Sequence, residues 1–248
     1  MTLAVIGGSG LKVIDQLTLL REHLGETPYG AVSAPIQELH TPDGSLLFLS
    51  RHGSDRHLPP HRVNYRANIW ALADLGVSDI VTINIVGGIS PALGPATWLV
   101  PDQLIDYTWG REHTFYDGRQ AMTEHIDFDP PFDERLSLRV LQEAVALGIT
   151  VQHRATYGCT QGPRLETAAE IQRLARDGCD VVGMTAMPEA ALARERGIRY
   201  AALCLVVNWA AGIGEQGASL ADMLAVVDSE MPRAVPLIAA LAALATNP

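Results

Sequence analysis

The chain has 248 residues, 48% of them apolar and 19% charged, with a formal net charge of −10. That length suffices for one sizeable α/β domain, and the acidic balance argues against a nucleic-acid partner, because phosphate backbones select basic faces. No run of about 18 apolar residues occurs and no basic leader precedes Met1-Thr2-Leu3, so no membrane partner and no secretory signal are expected, and the cytoplasm is the expected compartment.

The first expected strand, Leu3–Ile6, runs into Gly7-Gly8-Ser9-Gly10. Such a loop lets backbone N–H groups converge on an anion, and Ser9 adds a hydroxyl donor. Val13 stands where a dinucleotide fingerprint needs its third glycine, and no Gly-Lys-Ser/Thr follows, so neither a Rossmann motif nor a P-loop is present. A tight turn without a ligand accounts for the loop equally well.

The next strand, Leu46–Leu49, leads into Arg51-His52-Gly53. A guanidinium beside an imidazole at a strand end suits phosphate or carboxylate, with a surface turn as the alternative. His57 and His61 raise the idea of a metal site with His52. The intervening Leu58-Pro59-Pro60 rules out a helix that would align them, and no HExxH glutamate joins them, so no metal is expected.

A helix is expected over Asn64–Leu75, with Ile69, Leu72 and Ala73 on one stripe. The most apolar strand, Asp79–Val86, ends in Asn84-Ile85-Val86-Gly87-Gly88, where two glycines allow close backbone approach to a ligand or mark a bulge or plain turn. A strand over Thr97–Ile105 follows, then a helix over Glu134–Leu147 that aligns Leu136, Val140, Ala144 and Leu147.

Gly162-Pro163-Arg164-Leu165-Glu166-Thr167 opens another helix. Glu166 there is either a carboxylate facing a substrate N–H or a first-turn glutamate favoured by the helix dipole. The strand Asp180–Met184 runs into Thr185, at a natural anion site or a simple cap, and then a helix over Pro188–Arg196 that Gly197 stops.

Asn208 closes the strand Tyr200–Val207; its amide can donate and accept at once, or form a turn. A helix over Ser219–Asp228 aligns Leu220, Met223, Leu224 and Val227, and the almost wholly apolar last segment, Leu237–Ala245, is expected to pack onto the body. Cys159, Cys179 and Cys204 are too few and too scattered for a disulfide framework or a zinc site. Strands alternating with helices, with no linker between them, predict one α/β domain over residues 1–248.

Taken together and in order, these segments resemble the trimeric purine nucleoside phosphorylase and methylthioadenosine phosphorylase family, from Ala4 to about Leu224. The most specific stretches are Ala4-Val-Ile-Gly-Gly-Ser-Gly-Leu11, Val63-Asn-Tyr-Arg-Ala-Asn-Ile-Trp70 and Gly183-Met-Thr-Ala-Met-Pro-Glu-Ala190. The resemblance implies a central mixed, twisted sheet flanked by helices. It places Ser9, Arg51, His52, the Asn84-Ile85 segment and Thr185 on phosphate, and Met184 against the ribose hydroxyls. Leu165, Glu166 and Asn208 fall in the base pocket, followed by Trp209 and Ala210. Leu220 and His125 fall near the sugar 5′ end, His125 reaching in from a neighbouring subunit of a homotrimer.

Asn208, His52 and Glu166 are the expected catalytic set, and inorganic phosphate is the co-substrate, with no cofactor. Relatives that take 6-aminopurines carry Asp at the position of Asn208. An amide there can donate to O6 and accept from N7–H, and Glu166 can accept from the N1–H that only the oxo tautomer has. Leu220 stands where inosine/guanosine phosphorylases place a histidine, and an apolar side chain favours a methylthio group. The implied reaction is phosphorolysis of S-methyl-5′-thioinosine to hypoxanthine and 5-methylthioribose 1-phosphate, as in the bacterial methylthioinosine branch. General inosine/guanosine or methylthioadenosine phosphorolysis are the alternatives. Ile85, bulkier than the usual alanine, and the Trp209-Ala210 pair depart from the family pattern.

Overall fold

A computed structural model of the chain describes residues 2–8, 17–42, 44–55, 57–118, 124–214 and 219–245. In chain order these form β1 (Leu3–Gly7), β2 (Thr18–His23), β3 (Glu26–Thr27), β4 (Gly30–Ala31), β5 (Ile36–Thr41), β6 (Gly44–Ser50), α1 (Tyr65–Asp74) and β7 (Asp79–Gly88). Next come β8 (Trp98–Val100), β9 (Gln103–Asp106), α2 (Glu134–Ala146), β10 (Val151–His153), β11 (Thr156–Cys159) and α3 (Ala168–Arg176). Last are β12 (Val181–Gly183), α4 (Ala186–Glu195), β13 (Arg199–Trp209), α5 (Leu220–Glu230) and α6 (Ala234–Ala245).

The main path of the sheet runs β10-β8-β13-β7-β1-β6-β5-β2. Its centre, β13-β7-β1-β6, is parallel, while β5, β2 and the β8–β13 pairing are antiparallel. The central strands read as near-continuous Val, Ile, Leu and Ala because helices cover both of their faces. Side chains alternate across the pleat. Ala4 and Ile6 of β1 join the layer under α1 and α4, with Ile69, Leu72, Leu192 and Ala193. Leu3 and Val5 join the layer under α2 and α6, with Leu136, Val140, Leu237 and Leu241. The mixed sheet flanked by helices is the architecture expected from the sequence.

At its carboxyl end β7 serves two ladders at once. Gly87 and Gly88 pair in parallel with Asn208 and Trp209 of β13, and antiparallel with Val182 and Val181 of β12. β12 continues into β11 and β9, a three-strand offshoot beside the main path. Glycine is required at this fork, since a Cβ on Gly88 would stand 2.0 Å from the Leu93 carbonyl oxygen.

Several expectations need correction. The run Thr97–Ile105 is two strands, β8 and β9, because Pro101 between them has no N–H for a ladder. β2 through β5 carry no apolar run, and the edge strand β2 is mostly exposed. Leu147 caps α2 and is exposed, so the stripe ends at Ala144. On α5, Leu220 and Leu224 are 71% and 50% exposed while Val227 is 4% exposed; the helix buries its carboxyl-terminal end only. No helix among the described residues is long and apolar enough to cross a membrane.

Candidate active site

The carboxyl ends of β1, β6, β7 and β13 open on one cavity of about 750 Å³. Four parallel strands ending side by side leave backbone groups and first loop residues pointing into one crevice, the usual ligand position in such sheets. Gly8, Arg51, His52, Asn84 and Ile85 line one part of it, and Leu165, Glu166, Met184 and Thr185 another. Asn208, Trp209 and Ala210 complete the strand β13 side, joined by Met223 of α5.

Arg51 is 1% exposed. Its Nε and Nη2 donate to the two carboxylate oxygens of Glu189 at 2.7 and 2.8 Å, a bidentate pair. Nη2 also reaches Thr82 Oγ1, and the Tyr200 hydroxyl donates to Glu189 at 2.9 Å. Burial works against the guanidinium charge, but the Glu189 carboxylate outweighs it and holds Arg51 protonated above its ordinary range. Nη1 lies 3.3 Å from the place a Cβ on Gly8 would take, so a side chain there would crowd the strand-end loop.

Thr82 and Thr185 both donate to Asn84 Oδ1, at 3.2 and 3.3 Å. Asn84 Nδ2, beside the buried Cys204 sulfur, has no hydrogen-bond partner among the described residues. A buried amide N–H without a partner is costly, and this one sits on the cavity wall. Thr82 thus ties Arg51 to Asn84 and Thr185 in one polar cluster on the cavity wall. His52 joins them with Nδ1 2.8 Å from the Leu58 carbonyl oxygen, an acceptor that requires the proton on Nδ1. Ser9 lies outside the described residues.

On the other side, α3 begins at Ala168 with Thr167 as N-cap and Glu170 closing a capping box. Glu170 is therefore the first-turn glutamate, and Glu166 lies upstream of the helix. Its carboxylate accepts from Thr160 Oγ1 at 2.5 Å and lines the cavity. Asn208 lies inside β13, one residue past a bulge at Val207, so it forms no closing turn. Its Nδ2 donates to the Trp209 carbonyl at 2.6 Å, which leaves the second N–H and Oδ1 for a ligand. Gly183 must be glycine, since its Cβ would stand 2.0 Å from the buried Tyr157 hydroxyl. This close fit sets the path of Met184 and Thr185.

Two expected residues stay outside. Leu220 projects from the first turn of α5 and is not on the cavity wall, where Met223 stands instead, one turn further along the helix. The 3.6-residue pitch turns those two side chains in similar directions, but only the later one is close enough to the sheet. His125 is exposed and does not line its own cavity. His57, by contrast, lines it and pairs with Asp55. Among the described residues no group of three or more His, Cys, Asp or Glu is placed to hold a metal.

The phosphorylase superfamily model matches residues 2–243. The chain is 48% identical to a probable S-methyl-5′-thioinosine phosphorylase of Xanthomonas campestris, over 98% of this chain and 97% of the relative. The chain belongs to the phosphorylase superfamily. It is also 40% identical to a 6-oxopurine nucleoside phosphorylase of Pyrococcus furiosus, over 96% and 91% of the two chains. The methylthioadenosine phosphorylase from Schistosoma mansoni in complex with adenine superposes with a TM-score of 0.94 at 29% identity, covering 100% and 93%.

Within the superfamily the chain is a pentosyl-transferring enzyme of the purine nucleoside phosphorylase type. In this phosphorylase the residues that hold the site in shape are the ones hardest to read from sequence. Glu189, Thr82 and Thr160 each bond a lining residue, and Tyr200 bonds Glu189. The thiols of Cys159 and Cys204, pushed up to about 12 by burial, are neutral packing groups.

Proposed function

We propose that this phosphorylase cleaves S-methyl-5′-thioinosine with inorganic phosphate, giving hypoxanthine and 5-methylthioribose 1-phosphate. The observation that carries the reading is that Asn208 and Glu166 line the same cavity as the donors Arg51, Asn84 and Thr185. Phosphate bound by those donors, with His52 and Ser9, lies under C1′. Its negative charge stabilises the oxocarbenium character that develops as the glycosidic bond stretches. Asn208 takes the N7–H and O6 edge of the departing base, while Glu166 accepts from N1–H. Met184, Leu165, Trp209 and Ala210 enclose the ribose and base. The chain's contribution is alignment and fixed charge.

Base selection follows from the unpaired polar groups an aminopurine would leave, a mismatch worth up to about 10⁴-fold. The names of relatives such as that of Xanthomonas campestris support the methylthio choice. A second reading, general 6-oxopurine phosphorolysis, is favoured by the exposure of Leu220, which takes the expected apolar 5′ contact off the wall of one protomer. Comparing kcat/KM for methylthioinosine, inosine and methylthioadenosine tests both. Inosine turnover equal to or faster than that of methylthioinosine overturns the first reading in favour of the second, and fast methylthioadenosine turnover overturns both.

The proposal includes no metal or organic cofactor, a cytoplasmic location and a homotrimer in which His125 enters a neighbouring site. His125 is exposed and does not line the cavity of its own protomer, which supports the last point. Mixing inactive His125→Ala and Asn208→Ala subunits should then restore part of the activity, because some sites receive both native residues.

A further inference from the structure

Arg111 is 7% exposed, and among the described residues its guanidinium bonds only neutral oxygens. Nη1 donates to the carbonyls of Met184 and Met187 at 2.9 and 2.6 Å, and Nη2 to those of Thr160 and Gln161 at 3.2 and 2.8 Å. Nε donates to Gln161 Oε1 at 3.2 Å, and the guanidinium packs over the Tyr65 ring at 5.6 Å. Burying a cation against neutral acceptors is costly compared with an apolar side chain of the same volume. What the arrangement supplies is a link between two segments.

The β11–β12 ladder ends at Cys159 and Gly183, with one further bond from Thr160 N to the Gly183 carbonyl at 2.8 Å. Beyond that point the two chains diverge, one toward Leu165 and Glu166, the other through Met184 and Thr185 into α4. The carbonyls at which they part turn onto Arg111. The Met184 and Met187 carbonyls bracket Thr185, and those of Thr160 and Gln161 begin the segment that carries Glu166. One planar fork thus holds four carbonyls from two segments in a fixed relation, a task for which an ammonium lacks the geometry.

We propose that Arg111 is a positioning residue that sets the spacing between the Glu166 segment and the Met184–Thr185 segment, and through it the affinity for the nucleoside. This rests on the substrate reading above, but the clamp itself is testable without turnover. In the full-length protein, Arg111→Lys and Arg111→Gln are expected to speed amide hydrogen exchange in both 160–166 and 184–187. With methylthioinosine, kcat/KM should fall on the order of 10²-fold for Arg111→Gln and less for Arg111→Lys, carried mainly by nucleoside KM. The KM for phosphate should also rise through Thr185, but less, because Arg51, His52 and Asn84 lie outside the clamped segments.

Exchange at the wild-type rate in either segment, or a nucleoside KM within about twofold of wild type, overturns the proposal. If Arg111→Gln does not fold, Arg111→Lys decides by the same criteria. A wild-type enzyme that turns over no purine nucleoside removes the substrate reading instead, and the exchange measurement still decides the clamp.

Discussion

Arg51 and Leu220, both expected at the site, are opposites in burial. The first is 1% exposed and closed in by Glu189, Thr82 and the end of β1, while the second is 71% exposed at the start of α5. The floor of the cavity, made by strand ends, consists of charged and polar groups held in place by bonds to buried neighbours. The rim near α5 presents apolar side chains to solvent. Chemistry common to a whole superfamily belongs on the floor, where packing fixes geometry to a few tenths of an ångström. Discrimination between 5′ groups belongs on the rim, which can change without disturbing the sheet.

The sharpest way to break this contrast is at Glu189. Replacing it with Ala leaves the Arg51 guanidinium buried without its carboxylate, which should cost about 3–5 kcal/mol of stability in urea unfolding and abolish phosphate-dependent turnover. A loss under about 1 kcal/mol would mean that the floor relaxes as easily as the rim. Next comes Asn208→Asp, expected to raise the ratio of methylthioadenosine to methylthioinosine kcat/KM on the order of 10²-fold. Loss of all turnover without such a swing would sink direct contact between Asn208 and the base.

Gly88→Ala places a methyl group against the Leu93 carbonyl at the fork of β7 and should destabilise by about 1–3 kcal/mol, read from the midpoint of thermal or urea unfolding. The smallest effect is expected at Leu220→Ala. Stability should stay within about 0.5 kcal/mol of wild type, and the readout is the selectivity for methylthioinosine over inosine. Unchanged selectivity in the assembled enzyme would move the 5′ contact to Met223.

The same contrast explains what could be read from the sequence. The strands β1, β6, β7 and β13 were legible because burial on both faces writes an unbroken apolar run. The residues at their ends, Arg51, Asn84 and Asn208, stood out against that background. The partner strand β5 and the edge strand β2 were not legible, since half-exposed strands carry mixed side chains. The α5 stripe misled for a related reason: periodic leucines mark a face without saying what covers it. Arg111 and Glu189 were invisible in their roles, because a charged residue in sequence looks solvated until the tertiary structure buries it.

The fork at Gly87 and Gly88 has a consequence for how this enzyme is made. Both ladders that meet there join β7 to chain about a hundred residues further on, β12 and β13. Such pairings wait for long loops to close, which slows folding and places these contacts among the last to form. A nascent or truncated chain ending before Arg199 has the Arg51 loop and Asn84, yet neither Asn208 nor the strand that seats β7 from that side. Such a chain lacks the β13 side of the cavity and with it Asn208, Trp209 and Ala210.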